Sequence, residues 1–166
     1  TYSSTAGLSI NATTGAVNLG ASTPGTYTVT YTIPAAGGCS VFTTTATISI
    51  TAAPYATGTY TGSPYCSNGG TVYPSGSASG PGVFSASPAG LSINASTGAV
   101  NLGASTPGTY TVSFTIAPSG GCTAYINNTS ITITAAPNAT ISYAASPYVV
   151  NGGTATVTRT GTAGGT

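Results

Sequence analysis

The sequence predicts an all-β protein built from antiparallel β-sandwiches in tandem, and three observations support this prediction. Apolar residues and threonines alternate along several stretches, which is the pattern of a half-buried strand. The 24 glycines and 11 prolines among the 166 residues divide these stretches into short pieces joined by turns. The sequence also repeats itself after 83 residues without a gap, and more than half of the aligned positions are identical. A repeat of this length fits a whole sandwich better than one turn of a β-solenoid.

The repeat is visible in several motifs. The segment Gly7–Ala12 returns as Gly90–Ala95, and Cys39 returns as Cys122. The chain is two periods long and begins within a repeat. We therefore expect it to be a sample of a longer tandem array.

The first predicted element is a hairpin near the N-terminus. Leu8 and Ile10 face Val17 and Leu19 across the segment Asn-Ala-Thr-Thr-Gly, whose residues favour a turn. A strand follows in which every second residue is apolar or aromatic and the residues between are threonines. Both copies of the repeat keep this pattern, at Tyr27, Val29, Tyr31 and Ile33 and again at Tyr110, Val112, Phe114 and Ile116.

A longer strand is predicted after Cys39, because Phe42, Ile48 and Ile50 lie at even spacing. Two more strands are predicted near the C-terminus. They are marked by apolar pairs at Ile141 with Tyr143 and at Ala155 with Val157. The result is about seven short strands in each repeat, which favours antiparallel sandwiches of the immunoglobulin type.

The Ala-Ala-Pro segments at 52–54 and 135–137 are the predicted boundaries between repeats. Residues 1–54 are then the C-terminal part of one repeat, which we call the leading segment. Residues 55–137 are a complete repeat, and residues 138–166 are the N-terminal part of the next repeat, the trailing segment. The two partial segments together have the length of one repeat.

Half of a sandwich leaves open strand edges and an uncovered core. We therefore expect the trailing segment of one copy to complete the leading segment of the next. Two arrangements satisfy this expectation: one continuous polypeptide, or separate subunits that exchange strands. Continuity predicts that the Cα atom of Thr166 lies within about 4 Å of the Cα atom of a neighbouring Thr1.

The composition excludes most chemistry. Arg159 is the one charged residue, and the chain has no Asp, Glu, Lys or His. Acid–base catalysis and calcium binding lack their usual groups, and one arginine is too few for a nucleic-acid interface. The three cysteines have no paired CxxC spacing for a metal. No apolar run reaches the ~20 residues that a membrane helix needs. The segment is expected to have no enzyme activity, metal, cofactor, nucleic-acid partner or membrane insertion.

The repeat resembles those of bacterial surface proteins with immunoglobulin-like domains. The resemblance is carried by Gly-Leu-Ser-Ile-Asn-Ala-Thr-Thr-Gly at 7–15 and Pro-Gly-Thr-Tyr-Thr-Val at 24–29. The wider pattern, with Ser-Pro-Tyr-Cys-Ser-Asn-Gly-Gly at 63–70 and Gly-Gly-Cys at 120–122, is similar to arrays in giant secreted adhesins of Bacteroidetes-type bacteria, including gliding-motility adhesins. This resemblance implies a secreted, cell-surface location. Many members of that family carry acidic calcium-binding loops, which this sequence lacks.

In an exported protein, Cys66 and Cys122 of the complete repeat predict a structural disulfide. The alternative is two free thiols. The partner of Cys39 would lie before residue 1, and Val149 replaces the equivalent of Cys66 in the trailing segment.

Tyr27 and Tyr110 each follow a Pro-Gly-Thr segment. They resemble the tyrosine corner of immunoglobulin-like sandwiches, in which the hydroxyl ties a loop to a strand. The alternative is an ordinary core tyrosine. Threonine-rich strand faces are typical of solvent-facing strands, although a sugar-binding face would have a similar pattern.

The predicted function is structural: a stalk of tandem repeats, joined end to end with neighbouring copies, that projects a distal binding element whose ligand the sequence does not identify. Two alternatives remain at this point. The repeats could themselves bind carbohydrate or another surface, or the chain could be a pilus-like subunit that polymerises by strand exchange.

Overall fold

The structure is a computed structural model that describes residues 1–144 and 146–162. The position of Thr166, on which the test of chain continuity depends, lies outside the described residues. The described part is all-β, as predicted, and has no α-helix; a single 3-10 turn covers Leu19–Ala21. Its strands are β1 (Tyr2–Ser4), β2 (Gly25–Ile33), β3 (Phe42–Ile50), β4 (Tyr65–Cys66), β5 (Thr71–Val72), β6 (Val83–Ser87), β7 (Val100–Asn101), β8 (Gly108–Ile116), β9 (Tyr125–Thr134), β10 (Ala139–Tyr143) and β11 (Val157–Gly161).

The chain forms two compact units. The first contains residues 1–56, 78–82 and 115–126, and the second contains residues 57–77, 83–114 and 127–166. In the first unit, β1, β2 and β3 form an antiparallel sheet in that order. The long pairing of β2 with β3 runs from Gly25 opposite Ile50 to Ile33 opposite Phe42.

The second unit has its own hydrophobic core. A four-stranded sheet in the order β4-β9-β8-β6 supplies most of it, and the two-stranded sheet β5-β7 supplies Val72 and Val100. Side chains from two sheets thus meet in one core, which is consistent with a β-sandwich. The short β4 runs parallel to the end of β9, whereas β5 and β7 pair antiparallel. The buried core residues are Tyr60, Val100, Leu102, Tyr110, Val112, Ile131 and Ile133.

The predicted strands at the equivalent positions of the two repeats are confirmed. Strands β2 and β8 have the same bounds when the sequence is shifted by 83 residues. The predicted N-terminal hairpin is present as a bridge between Ile10 and Val17, and the bridge between Ile93 and Val100 is its counterpart. Equivalent sequences therefore adopt equivalent local structure in the two places.

Strands β10 and β11 form a C-terminal hairpin whose register also has a counterpart. Ala139 lies opposite Gly161, and Ser142 lies opposite Thr158. The corresponding bridges in the complete repeat join Ala56 with Ala78 and Thr59 with Ser75. Strand β11 begins at Val157, so the predicted strand is found but Ala155 lies outside it.

Tyr27 and Tyr110 are both buried, each in its own unit, and each ties a loop to a strand. The Tyr27 hydroxyl donates to the Thr23 carbonyl at 2.6 Å, and the Tyr110 hydroxyl donates to the Thr106 carbonyl at 2.7 Å. These hydrogen bonds are the ones that a tyrosine corner requires. Gly90 lies next to the Tyr110 hydroxyl and has a positive φ of 123°. A Cβ atom on Gly90 would collide first with the Thr106 Oγ1 atom and then with the Tyr110 hydroxyl.

The Tyr110 hydroxyl can be tested by substitution. We expect Tyr110→Phe to lower the free energy of unfolding by about 1 kcal/mol, because one buried hydrogen bond is lost and the ring is kept. The matched control is Tyr73→Phe, since Tyr73 is exposed. Urea unfolding measures both variants. Equal midpoints for the two variants would contradict a structural role for the Tyr110 hydroxyl.

Candidate functional site

The described part of the chain offers apolar surface rather than a reactive centre. No group of three His, Cys, Asp or Glu side chains lies close enough together to hold a metal ion in residues 1–144 and 146–162. The same residues include no helix that could cross a membrane. Large apolar side chains are nevertheless exposed at several places. Two groups of them have equivalents in or near the core of the second unit, and we call these groups the leading face and the hairpin face.

The leading face belongs to the first unit and is the apolar side of the β1-β2-β3 sheet with its flanking turn. Its residues, except Tyr31, align with buried core residues of the second unit. Leu102 is 1% exposed in the core, and its equivalent Leu19 is 64% exposed. Val112 is buried, and its equivalent Val29 is only half-buried. The leading face consists of Val17, Leu19, Val29, Tyr31, Ile48 and Ile50.

The hairpin face belongs to the second unit and lies on the trailing segment. Its residues align with the part of the complete repeat that covers the core. Tyr60 is 4% exposed, and its equivalent Tyr143 is 51% exposed. Several other large apolar side chains of this segment are exposed as well. The hairpin face consists of Ile141, Tyr143, Tyr148, Val149, Val150 and Val157.

Tyr60 shows which contacts the hairpin face could make. Its hydroxyl donates to the Gly98 carbonyl at 2.6 Å inside the core. Burial raises the pKa of this hydroxyl to about 12, and the nearby Tyr65 adds to the increase. The equivalents of the donor and the acceptor are Tyr143 and Gly15, which lie on the two partial segments.

A depression of about 300 Å³ lies in the leading face, lined by side chains that include Tyr2, Val29 and Thr44. At the equivalent place in the second unit, Gly58 approaches Asn127: a Cβ atom on Gly58 would lie 3.9 Å from the Asn127 Oδ1 atom. The 83-residue shift replaces this glycine by Ile141 and this asparagine by Thr44. The change from glycine to isoleucine is large, whereas asparagine and threonine have similar volumes.

The predicted Cys66–Cys122 disulfide is not present in this structure, in which all three cysteines are free thiols. Cys66 lies opposite Thr134, the last residue of β9, whereas Cys122 lies three residues before the first residue of β9. A ten-residue strand is about 33 Å long, and a disulfide requires Cα atoms within about 7 Å. Cys66 therefore lies beside the last residue of β9, whereas Cys122 precedes its first residue.

Cys122 instead lies in a turn that packs on the segment between the two predicted repeats. Its Sγ atom is 3.7 Å from the Ala52 carbonyl oxygen, within the first unit. A groove of about 430 Å³ separates residues 51–54 from this turn, and Ile116 lines it. The spacing of the cysteines in the sequence could not predict the contact of Cys122 with Ala52. Spacing alone does not show that Cys122 and Cys66 lie near different ends of β9.

No protein-family model matches this chain, and no curated protein matches its sequence. The family resemblance of the repeat motifs therefore stays a prediction.

Tyr60 predicts how stability depends on pH. The pKa of this hydroxyl is about 12 in the folded chain and about 10 in the unfolded chain. The unfolded chain therefore loses the proton first, and the stability that Tyr60 contributes is complete below pH 10 and is lost as the pH rises towards 12. Urea unfolding at pH 9 and at pH 11 should give a smaller decrease in stability for Tyr60→Phe than for Tyr73→Phe. An equal decrease in both variants would contradict the assignment.

Leu102 and Leu19 predict opposite results for the same substitution. Leu102→Ala should destabilise the chain by about 2–5 kcal/mol, because it leaves a cavity in a closed core. In dilute solution, where copies are separate, Leu19→Ala should change the free energy of unfolding by less than about 0.5 kcal/mol, as is usual for exposed positions. Chemical denaturation measures both variants. A large effect of Leu19→Ala on the isolated chain would mean that the leading face is already covered.

Proposed function

We propose that this chain is a structural, non-enzymatic segment of a secreted bacterial surface filament or adhesin stalk. In this proposal it consists of tandem immunoglobulin-like sandwiches with an 83-residue period, joined end to end with neighbouring copies. The observation that carries the proposal is the pair of exposed faces, whose equivalents form a single closed core in the second unit.

The first argument is complementarity. The leading face lacks the counterpart of Tyr60 and its hairpin, and the hairpin face lacks the counterpart of Leu102 and its sheet. Burying a large apolar side chain contributes about 1.5–3 kcal/mol, so covering both faces favours association strongly. The trailing segment of one copy, placed on the leading segment of the next, covers both faces with one contact.

The second argument is charge. With a formal net charge of +1, neighbouring copies repel one another very little. Shape complementarity and apolar contacts, rather than ion pairs, must then determine how neighbouring copies bind to each other. A contact of this kind works equally whether the polypeptide continues through the join or separate subunits exchange strands.

The third argument concerns mechanics. The longest strands are β2, β3, β8 and β9, with nine or ten residues each. Each pairs with a long neighbour, so extending the array requires many backbone hydrogen bonds to break together. The short segment between repeats leaves little freedom for bending. Such an array holds a distal binding element away from the cell surface.

Assembly through the two faces gives a direct prediction. Static light scattering should show the chain forming end-to-end multimers as its concentration increases. Leu19→Ala and Ile141→Ala, one on each face, should each weaken this association at least tenfold, the change that corresponds to about 1.4 kcal/mol. Val41→Ala is the matched control, because Val41 is exposed and its equivalent Ala124 is exposed as well. Association that is equally strong in all three variants would contradict the proposal.

The same samples distinguish the other functions. Because only Arg159 is charged, association should change little between low and high salt. Dissociation on adding salt would mean that charges outside this segment hold the copies together. Binding of the chain to a glycan array, with scattering that remains monomeric, would favour a carbohydrate-binding module instead of a stalk.

A further inference from the structure

The three free cysteines form no disulfide within the chain. Two of them, Cys66 and Cys39, lie where two repeats would meet in the proposed array. We propose that Cys66 forms a disulfide with Cys39 of the next copy of this chain, across the junction between two repeats, while Cys122 stays a free thiol. This inference rests on the proposed end-to-end joining of copies.

The first observation concerns the last residues of the complete repeat. Cys66 lies opposite Thr134 in the β4–β9 pair. The next residue, Ser67, donates its N–H to the Thr134 carbonyl at 2.9 Å and accepts the Ala136 N–H at 2.9 Å. The Tyr65 carbonyl accepts the Thr134 hydroxyl at 3.1 Å. Cys66 is thus held beside the point where the chain leaves the complete repeat.

The second observation concerns the turn that contains Cys122. This turn packs on Thr51 and Ala52, through the contact of the Cys122 Sγ atom with the Ala52 carbonyl. Gly120 of the same turn lies so close that a Cβ atom on it would be 2.9 Å from the Thr51 Cγ2 atom. The Gly-Gly-Cys turn of a repeat therefore contacts the two residues that directly follow the last strand of the preceding repeat.

The two observations refer to equivalent residues. Under the 83-residue shift, Thr51 and Ala52 correspond to Thr134 and Ala135. Cys66 adjoins these residues. In the proposed array, the Gly-Gly-Cys turn of the following repeat adjoins them as well. Two cysteines thus adjoin the same pair of residues, whereas Cys66 and Cys122 of one repeat are separated by the length of β9.

The turn of the following repeat is the one that contains Cys39. It has the same geometry as the Cys122 turn: Gly37 and Gly38 have φ values of 58° and 82°, and the Cys39 N–H donates to the Ala36 carbonyl at 3.0 Å. For Gly120 and Gly121 the φ values are 56° and 82°.

The exposure of the two turns agrees with this arrangement. Ile116, which shares a groove with Ala52 and Pro54, is 7% exposed, whereas its equivalent Ile33 is 47% exposed. Likewise Cys122 is half-buried and Cys39 is exposed. Ile33 and the Cys39 turn of the leading segment are therefore uncovered. Residues 134–137 of a preceding copy would cover them in the proposed array.

Cys122 has no such partner. At its junction the residue equivalent to Cys66 is Val149 of the preceding copy, which has no sulfur. Junctions should therefore alternate along the array: one with a disulfide, the next with only noncovalent contacts. This pattern uses two of the three cysteines in each 166-residue copy.

The cross-link forms by thiol–disulfide exchange with a small disulfide such as oxidised glutathione. The Cys66 thiolate attacks the glutathione disulfide and releases one glutathione thiolate. The Cys39 thiolate of the next copy then attacks the mixed disulfide, forms the Cys66–Cys39 bond and releases the second glutathione. Two cysteine thiols are oxidised, and one glutathione disulfide is reduced to two thiols.

The test uses the whole chain, equilibrated with a glutathione redox buffer and alkylated before a non-reducing denaturing gel. We expect a ladder at multiples of 15.8 kDa that collapses to the monomer on reduction. Cys39→Ser and Cys66→Ser should each abolish the ladder. Cys122→Ser is the matched control and should leave it unchanged.

Chymotryptic mapping identifies the bond, because cleavage after aromatic residues isolates each cysteine. Cys39, Cys66 and Cys122 fall on the peptides 32–42, 66–84 and 115–125, which differ in sequence, since Pro74 prevents cleavage after Tyr73. The proposal predicts a linked pair of peptides 32–42 and 66–84, with Cys122 alkylated before reduction. A linked pair of 66–84 and 115–125, or alkylation of all three thiols, would overturn it.

Light scattering of the same oxidised samples separates the two proposals. Multimers in native solution without a covalent ladder would overturn the disulfide alone and leave end-to-end assembly standing. A chain that stays monomeric in native solution and on the gel would overturn both.

Discussion

The structure depends on covering the apolar face of every sheet with another layer. In the second unit this requirement is met, since Leu102, Ile131 and Ile133 of one core are almost fully buried and Tyr60 closes it with a hydroxyl bonded to the Gly98 carbonyl. In the first unit the same kind of sheet is present, but its face retains exposed Leu19 and Tyr31. Since the local conformations agree, the difference between the two units comes from the missing layer and not from the sheet itself.

Hydrogen bonds from neutral side chains stabilise the turns and loops of this chain, which has almost no charged residues. Asn11 and Asn94 each accept backbone N–H groups two and three residues further along, which stabilises the same turn in both places. Tyr27 and Tyr110 tie loops to strands in the same way. Among the described residues no buried side-chain polar atom lacks a partner. A nearly uncharged chain can therefore fold without unsatisfied polar groups, because its turns are closed by short neutral side chains.

Local patterns in the sequence were sufficient to predict several strands, including the long strands β2, β3 and β8. Alternation predicted β2 and β8, and the Asn-to-Gly turn predicted the bridge between Ile10 and Val17, because both depend on residues close in sequence. The disulfide depends instead on which ends of distant strands meet. Cys66 lies in the parallel pair of β4 with β9, and a two-residue strand of this kind leaves no periodic signal. The exposed faces were foreseen only in outline, since the length of the partial segments indicated them but not the residues that carry them.

The differences between the two repeats also bear on which partner each segment accepts. Gly58 lies against Asn127 in the second unit, where the larger Ile141 would meet the Asn127 side chain. On the leading face the partner of Ile141 would be Thr44. A glycine in place of Ile141 would leave the depression beside Thr44 unfilled. Overpacking and cavities both cost stability. In the proposed assembly Ile141 would lie beside Thr44 and fill the depression of the leading face, whereas in the complete repeat the equivalent place beside Asn127 is taken by Gly58.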